Sequence, residues 1–435
     1  MSNHRSLRLR SFLSHGGTDQ QCSQMTINEL PDEVLLEIFG FYMAYRLPPL
    51  PYREDTWHTL VHVCQRWRHV VFGSPRHLGL RLLCVNRRLM KTLDIWPELP
   101  IAIRVDFGLK SPSVTDSDVI SVLKRHDQVC EIVIDSVPYP TIGKLLRSTH
   151  NLTDLSLSAI PPSGYISPEA MVAILSALTS LKVLHLEFET PQVRTHGASR
   201  RPSELERVIL PALTDFGYYG KSGYLEDMVS RIDAPLESIS VSFSKPPVVP
   251  DVSLLRDFIG RTKIPNASYR VDVSFSDFNA MISLFQRKGG VDFEAVSFWV
   301  PGSIYMATQP SSLAQACNSL LPPLPSLEQL GIYRDKPERW PLLWRSEVKD
   351  NHWMELLRPF ITVKDLVLDE PVVSSVASAL QTLIGGRVTE ILPALQNIVL
   401  EGFQSSGPVP EGIEEFIAAR KLSGCPVIVH HRETK

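Results

Sequence analysis

The chain has 435 residues, 43% of them hydrophobic, and a formal net charge of -3. That composition can bury a large core in more than one domain and excludes a disordered protein, while the near-neutral, interspersed charge excludes the broad basic face of a nucleic-acid binder. No apolar run approaches the roughly 18 residues of a membrane span, so no membrane segment is expected.

The first eighteen residues carry His4, Arg5, Arg8, Arg10 and His15 with no acidic group, and residues 1–24 are expected to form a disordered basic tail. The same composition suits a mitochondrial presequence, but no long amphipathic helix follows. Asn28 then suits a helix N-cap, Pro31 a first turn, and Asp32 and Glu33 the positive end of a helix dipole. Leu30, Val34, Leu35, Ile38 and Phe39 recur at three- and four-residue steps, predicting a helix that starts near Leu30 with one apolar face. After a Pro-rich bend, Trp57, Leu60, Val61, Cys64, Trp67 and Val71 form a second stripe, read as a second helix. Two short amphipathic helices over residues 25–85 cannot bury both faces, which leaves apolar surface for a partner. A plain pair of core helices shows the same periodicity.

Two blocks in this segment, Leu30-Pro31-Asp32-Glu33-Val34-Leu35-Leu36-Glu37-Ile38-Phe39 and Val63-Cys64-Gln65-Arg66-Trp67, together resemble an F-box. The connector from Met43 to Asp55 is longer than the family's usual link. The resemblance implies docking to a Skp1-like adaptor and through it to a cullin. By the same resemblance, Leu30, Pro31, Val34, Leu35, Ile38, Phe39, Val63, Cys64 and Trp67 are the expected adaptor-binding residues.

From residue 86 to 435 the chain returns to one phrase, an apolar residue, two variable ones, then two apolar residues flanking a variable one. Clear copies start at Leu152, Leu181, Leu236, Leu327, Val363 and Leu395, and weaker ones at Val129, Leu213, Tyr269 and Phe293. From Leu152 onward the step averages about 30 residues. Helical signals lie between: Ser167-Pro168-Glu169 opens a stretch to Leu178, Asp277 precedes Phe278 to Gln286 with Gly289-Gly290 after it, Val373 runs to Leu383, and Glu414 to Arg420. The region resembles the degenerate leucine-rich repeats that follow F-boxes in large fungal sets. The expected fold class is α/β: all-α F-box helices, then an irregular leucine-rich-repeat solenoid with a curved parallel sheet and outer helices. A non-repetitive α/β domain with parallel strands shares most of these signals.

Fragments that imitate catalytic motifs fail on context, so no catalytic residue and no enzyme activity is expected. Asp106-Phe107-Gly108 and Asp215-Phe216-Gly217 match a kinase tripeptide without the companion loops and read as strand ends. Gly220-Lys221-Ser222 copies the end of a phosphate loop, but Asp215 stands where that loop needs glycine. His430-His431 reads as a solvated tail after a strand, and Trp340, Trp344 and Trp353 as a packed insertion. Six scattered cysteines with no metal-like spacing point to reduced thiols of a cytoplasmic or nuclear protein, with no metal and no cofactor.

In such a repeat the variable strand positions face the open side of the sheet. They include Asp154, Ser156, Ser240 and Ser242, and the set expected to bind a client: His185, Glu187, Tyr219, Trp299, Tyr333, Asp365, Asp369 and Glu401. The aromatic members would anchor a client segment with an apolar or aromatic anchor, and the acidic last repeats would meet its basic flanks. The function these readings imply is the substrate-recognition subunit of an Skp1-cullin-F-box E3 ubiquitin ligase, its client protein unknown. The competing reading is a repeat scaffold that binds Skp1 or other proteins outside ubiquitination.

Overall fold

The computed structural model describes residues 27–44, 57–75, 77–84, 93, 98–106, 116–136, 143, 146–188, 207–244, 252–276, 279–301, 309–334, 350–384, 387–402 and 409–432. The basic tail, the connector beyond residue 44, Trp340, Trp344 and the Gly385-Gly386 pair lie outside them. The chain divides between Leu80 and Arg81 into two compact units.

The first unit is helical. Ile27–Glu29 forms a 3-10 turn, so Asn28 lies inside that turn, ahead of the helix start at Asp32. Helix α1 runs Asp32–Ala44, two residues later than expected. Pro31 precedes it, its carbonyl accepting from the Leu35 amide. The second stripe is two helices, α2 (Trp57–Val61) and α3 (Gln65–Gly73). The break falls at Cys64, which is extended and caps α3 by accepting from the Trp67 amide. Periodicity carried through that break because a cap residue can hold an apolar position in register. Leu35, Phe39, Trp57, Leu60, Val61, Val70 and Val71 are buried.

The second unit is built on a fourteen-stranded sheet in the order β1-β2-β3-β4-β5-β7-β9-β12-β11-β10-β13-β14-β15-β16. These strands are β1 (Leu82–Cys84), β2 (Ile101–Asp106), β3 (Val129–Asp135), β4 (Asp154–Ile160), β5 (Val183–Phe188), β7 (Asp215–Gly220), β9 (Ser238–Phe243), β10 (Ser268–Phe275), β11 (Asn279–Lys288), β12 (Val291–Pro301), β13 (Gln329–Arg334), β14 (Asp365–Asp369), β15 (Asn397–Glu401) and β16 (Ile428–Arg432). Two short strands, β6 (Val208–Ile209) and β8 (Ile232–Asp233), pair separately.

The repeated phrase occupies equivalent places on neighbouring strands. Leu155 and Leu157 pair with Leu184 and Leu186, and Leu366 and Leu368 with Ile398 and Leu400, all buried. The residue ahead of five strands repeats one hydrogen-bond pattern. The Thr153 carbonyl accepts from Lys182 (2.7 Å) and Val183 (3.0 Å), Lys182 from Thr214 and Asp215, Thr214 from Glu237 and Ser238, Glu328 from Lys364 and Asp365, and Lys364 from Gln396 and Asn397. A pattern passed from unit to unit in this way is a repeat, which separates the fold from a non-repetitive α/β domain.

Buried and open positions alternate along β4, β5 and β9. One face of the sheet is therefore covered and the other open, and the helices that connect the strands supply the cover. They are α4 (Asp116–Leu123), α5 (Pro168–Leu175), α6 (Ser222–Val229), α7 (Ser253–Arg261), α8 (Ile264–Ala267), α9 (Gln309–Leu320), α10 (Asp350–Leu357), α11 (Glu370–Gln381) and α12 (Glu411–Leu422). Ser167 caps α5 as expected, accepting from the Ala170 amide. Trp353 is buried in α10 against Phe275.

The expected helix from Phe278 to Gln286 is instead strand β11. Ala280, Ile282 and Leu284 alternate inward at period two, and Gly289 and Gly290, at φ +62° and +83°, turn the chain straight back into β12. A Gly-Gly pair serves a hairpin of this kind as well as it ends a helix. β10, β11 and β12 form an antiparallel meander that enters the sheet in reverse order, between β9 and β13, and both of its outer contacts are parallel.

Three smaller expectations also change. Asp215-Phe216-Gly217 opens β7 and runs into its interior, so it is no strand end. Gly220, at the end of that strand, leaves no phosphate cradle, because the Tyr218 hydroxyl fills the space beside it and donates to the Lys221 carbonyl. His430 and His431 lie within β16, paired with Val399 and Leu400.

Candidate functional site

Two surfaces stand out, one on each unit. In the helical unit the two sequence blocks meet. Arg66 on α3 donates to Asp32 Oδ1 through Nη2 at 2.7 Å and to the Leu30 carbonyl. Trp67 packs on Phe39 with ring centroids 4.7 Å apart. The nine expected adaptor residues divide by burial. Leu35 and Phe39 are core; Leu30, Cys64 and Trp67 are half-buried; Pro31, Val34 (42% exposed), Ile38 (39%) and Val63 (58%) face outward.

Phe41, 72% exposed, joins Val34 and Ile38 at the next helical step. Helix α1 thus presents a row of three large apolar side chains along one face while burying Leu35 and Phe39 along another. The stripe counted from the sequence stopped at Phe39 and missed Phe41, although the spacing 34, 38, 41 carries the signal. Arg66 was passed over as part of a motif, since no pattern tells a stitching arginine from a solvated one.

On the second unit the open sheet face carries all the residues expected there, in two adjacent rows. Ser156, His185, Gly217, Ser240, Ser297, Ser283 and Asp272 stand side by side across seven strands. Two residues further along, from β5 across to β13, run Glu187, Tyr219, Ser242, Trp299, Met281, Ser274 and Tyr333. Asp154 and Asp365 lie at the strand starts, and Asp369, Glu401 and Arg432 continue the second row.

The aromatic members differ. Tyr219 and Trp299 stand out at 41% and 39% exposure. Tyr333 lies down, its ring over Gly331 and beside Asp272, where burial pushes its hydroxyl far above the ordinary tyrosine range. His185 rests on Gly217, and burial holds its imidazole below the ordinary value.

The carboxylates of the last repeats are engaged within the chain. Glu401 pairs with Arg432 at 2.8 Å, Asp365 accepts from Asn397 at 2.7 Å, and Asp369 accepts from the amides of Glu370 and Arg334. The acidic end expected from the sequence is thus partly neutralised, because Arg432 falls beside Glu401 only once β16 joins the sheet. At the other end Glu131 is buried between Arg81 and Arg104.

Burial pushes the thiols of Cys84 and Cys317 up to about 12 and that of Cys130 to about 11, so none of them is a ready nucleophile. Among the described residues no three His, Cys, Asp or Glu side chains gather at metal-binding distance, and no helix is long and apolar enough to cross a membrane.

No family model matches the sequence, and no curated protein matches it. Among solved structures the chain is similar to the leucine-rich repeat-containing protein LegL7 from Legionella pneumophila, at 12% identity and a TM-score of 0.29, covering 79% of this chain and 98% of that one. It is also similar to the Rad7 and Elc1 complex of yeast, at 12% identity and a TM-score of 0.28, covering 88% of this chain and 91% of that one.

Proposed function

We propose that the chain is the substrate-recognition subunit of an Skp1-cullin-F-box E3 ubiquitin ligase. In this reading the helical unit docks on a Skp1-like adaptor and the open face of the sheet receives a client protein. The chain does no chemistry itself; holding a client near a ubiquitin-loaded enzyme raises its effective concentration. The observation that carries the reading is the row Val34, Ile38 and Phe41 on α1, large apolar side chains left exposed by a helix that buries Leu35 and Phe39. Exposed rows of this size mark protein contacts. The Arg66 tie between the two F-box-like blocks fixes the orientation of that row.

Co-expression with a Skp1 homologue and a cullin tests it. Val34→Asp with Ile38→Asp should abolish adaptor capture while leaving the melting temperature unchanged, since both side chains already face water. Capture that survives the double change would remove the docking surface, and recovery of Skp1 without any cullin would remove the ligase role.

A further inference from the structure

We propose that Tyr219 and Trp299 form a clamp for a cationic side chain, arginine or lysine, on an extended segment of the client protein. The inference rests on the client-binding half of the function proposed above and gives that client a chemistry. Tyr219 on β7 pairs with Ser242 on β9, and Ser242 with Trp299 on β12. Two strand spacings separate the roots of the aromatic side chains by about 10 Å.

Among the described residues, only Ser242 occupies the strand position between them. Ser242 forms the floor, with Gly217, Ser240 and Ser297 in the next row, and the Ser297 hydroxyl ties to Ser240 at 3.1 Å. A flat guanidinium midway would lie about 5 Å from each ring, inside the roughly 6 Å reach of a cation–π contact.

Charge selects among the side chains that would fit. On β5, β7, β9 and β12 the open-face positions include Glu187, Asp215 and Glu294 and no lysine or arginine. Burial lowers the pKa of His185 beside them, which disfavours its charged form. The Glu187 carboxylate beside Tyr219 favours a cation and repels the phosphates of nucleic acid. Among the described residues the arginines on the sheet's open face lie elsewhere and are ion-paired: Arg104 to Glu131, Arg270 to Asp272 and Asp292, Arg287 to Asp292, Arg432 to Glu401.

The test uses the full chain and short fluorescein-labelled peptide pools, degenerate except for a fixed central Arg, Leu or Glu, read by fluorescence anisotropy. The Arg pool should bind at least about ten-fold more tightly than the Glu pool, and Tyr219→Ala or Trp299→Ala should each cost it about five- to ten-fold. Trp299→Leu keeps apolar bulk without a π face and should erase the preference for Arg over Leu. Equal binding of the three pools, an unchanged preference in Trp299→Leu, or tighter binding of a short single-stranded oligodeoxynucleotide would each overturn the clamp. Adaptor capture by the same preparations separates the two readings: a failed clamp leaves capture intact, and a failed adaptor contact leaves the peptide preference intact.

Discussion

Arg66 and Asp32, thirty-four residues apart, are joined by two hydrogen bonds to one carboxylate oxygen, from Nη2 at 2.7 Å and from Nε at 3.1 Å. Arg66 Nη2 also reaches the Leu30 carbonyl. One guanidinium therefore holds the start of α1 against α3.

The two side chains of this ion pair are 38% and 54% exposed, so the pair itself contributes little. The bond to the part-buried Leu30 carbonyl adds more. Arg66→Ala should cost about 1 kcal/mol of stability in urea unfolding followed by tryptophan fluorescence. Arg66→Lys keeps the charge but loses the second, Nε, hydrogen bond of the planar guanidinium fork, and should fall between. An unchanged midpoint in Arg66→Ala would leave the Phe39–Trp67 contact as the fastening.

Gly217 sits where the His185 ring crosses β7. A Cβ there would stand 2.1 Å from His185 Nδ1, so Gly217→Ala must displace the ring from the open face. Thermal unfolding should show a loss of about 1 to 3 kcal/mol, the cost of overpacking. Gly223→Ala on α6 is the control, since nothing lies within 4 Å of its Cβ site and a helical alanine gains up to about 1 kcal/mol. Equal behaviour of the two variants would show that His185 swings clear without cost.

The repeat was legible because its signal is redundant. Leu152, Leu155 and Leu157 return as Leu181, Leu184 and Leu186, and pairing in register buries all six. The β10 to β12 meander was not. Phe278 to Gln286 also fits a helix, and Gly289-Gly290 suits a helix end as well as a hairpin, so only pairing with β9 and β13 decides. The open face was legible as positions and misread as charge: Arg432 meets Glu401 through the sheet, across a separation of 31 residues that no local pattern spans.

Asp272 lies on that face with one carboxylate oxygen buried and unpartnered, while Arg270 holds the other at 3.0 Å. Burial pushes its pKa up to about 6 from an ordinary 3.8, a rise that Arg270 opposes. A folded value above the unfolded one means that protonation favours folding: the contribution is complete below about pH 4 and is lost as pH rises through about 6. Asp272→Asn, always neutral, should flatten the pH dependence over that window. Near pH 8 it should exceed the parent in stability by about 1 to 3 kcal/mol. A less stable variant at that pH would mean that the Arg270 pair outweighs the desolvation of the carboxylate.

Glu226 shows how one repeat fastens the next away from the sheet. It sits on α6, is buried, and accepts from the amides of Leu254 at 2.9 Å and Leu255 at 2.8 Å in the first turn of α7. Val252, at the N-cap of α7, makes no side-chain cap, so the cap comes from the preceding repeat. Glu226→Ala strands one buried and one part-buried donor and should cost about 1 to 3 kcal/mol in chemical denaturation. Glu226→Gln keeps one acceptor oxygen and should lose about half as much. Hydrogen exchange locates the effect: amides of α7 should lose protection first in Glu226→Ala, ahead of those in β7 and β9. Uniform loss across the sheet would mean that the repeats unfold as one unit and that this cap stabilises the whole array equally.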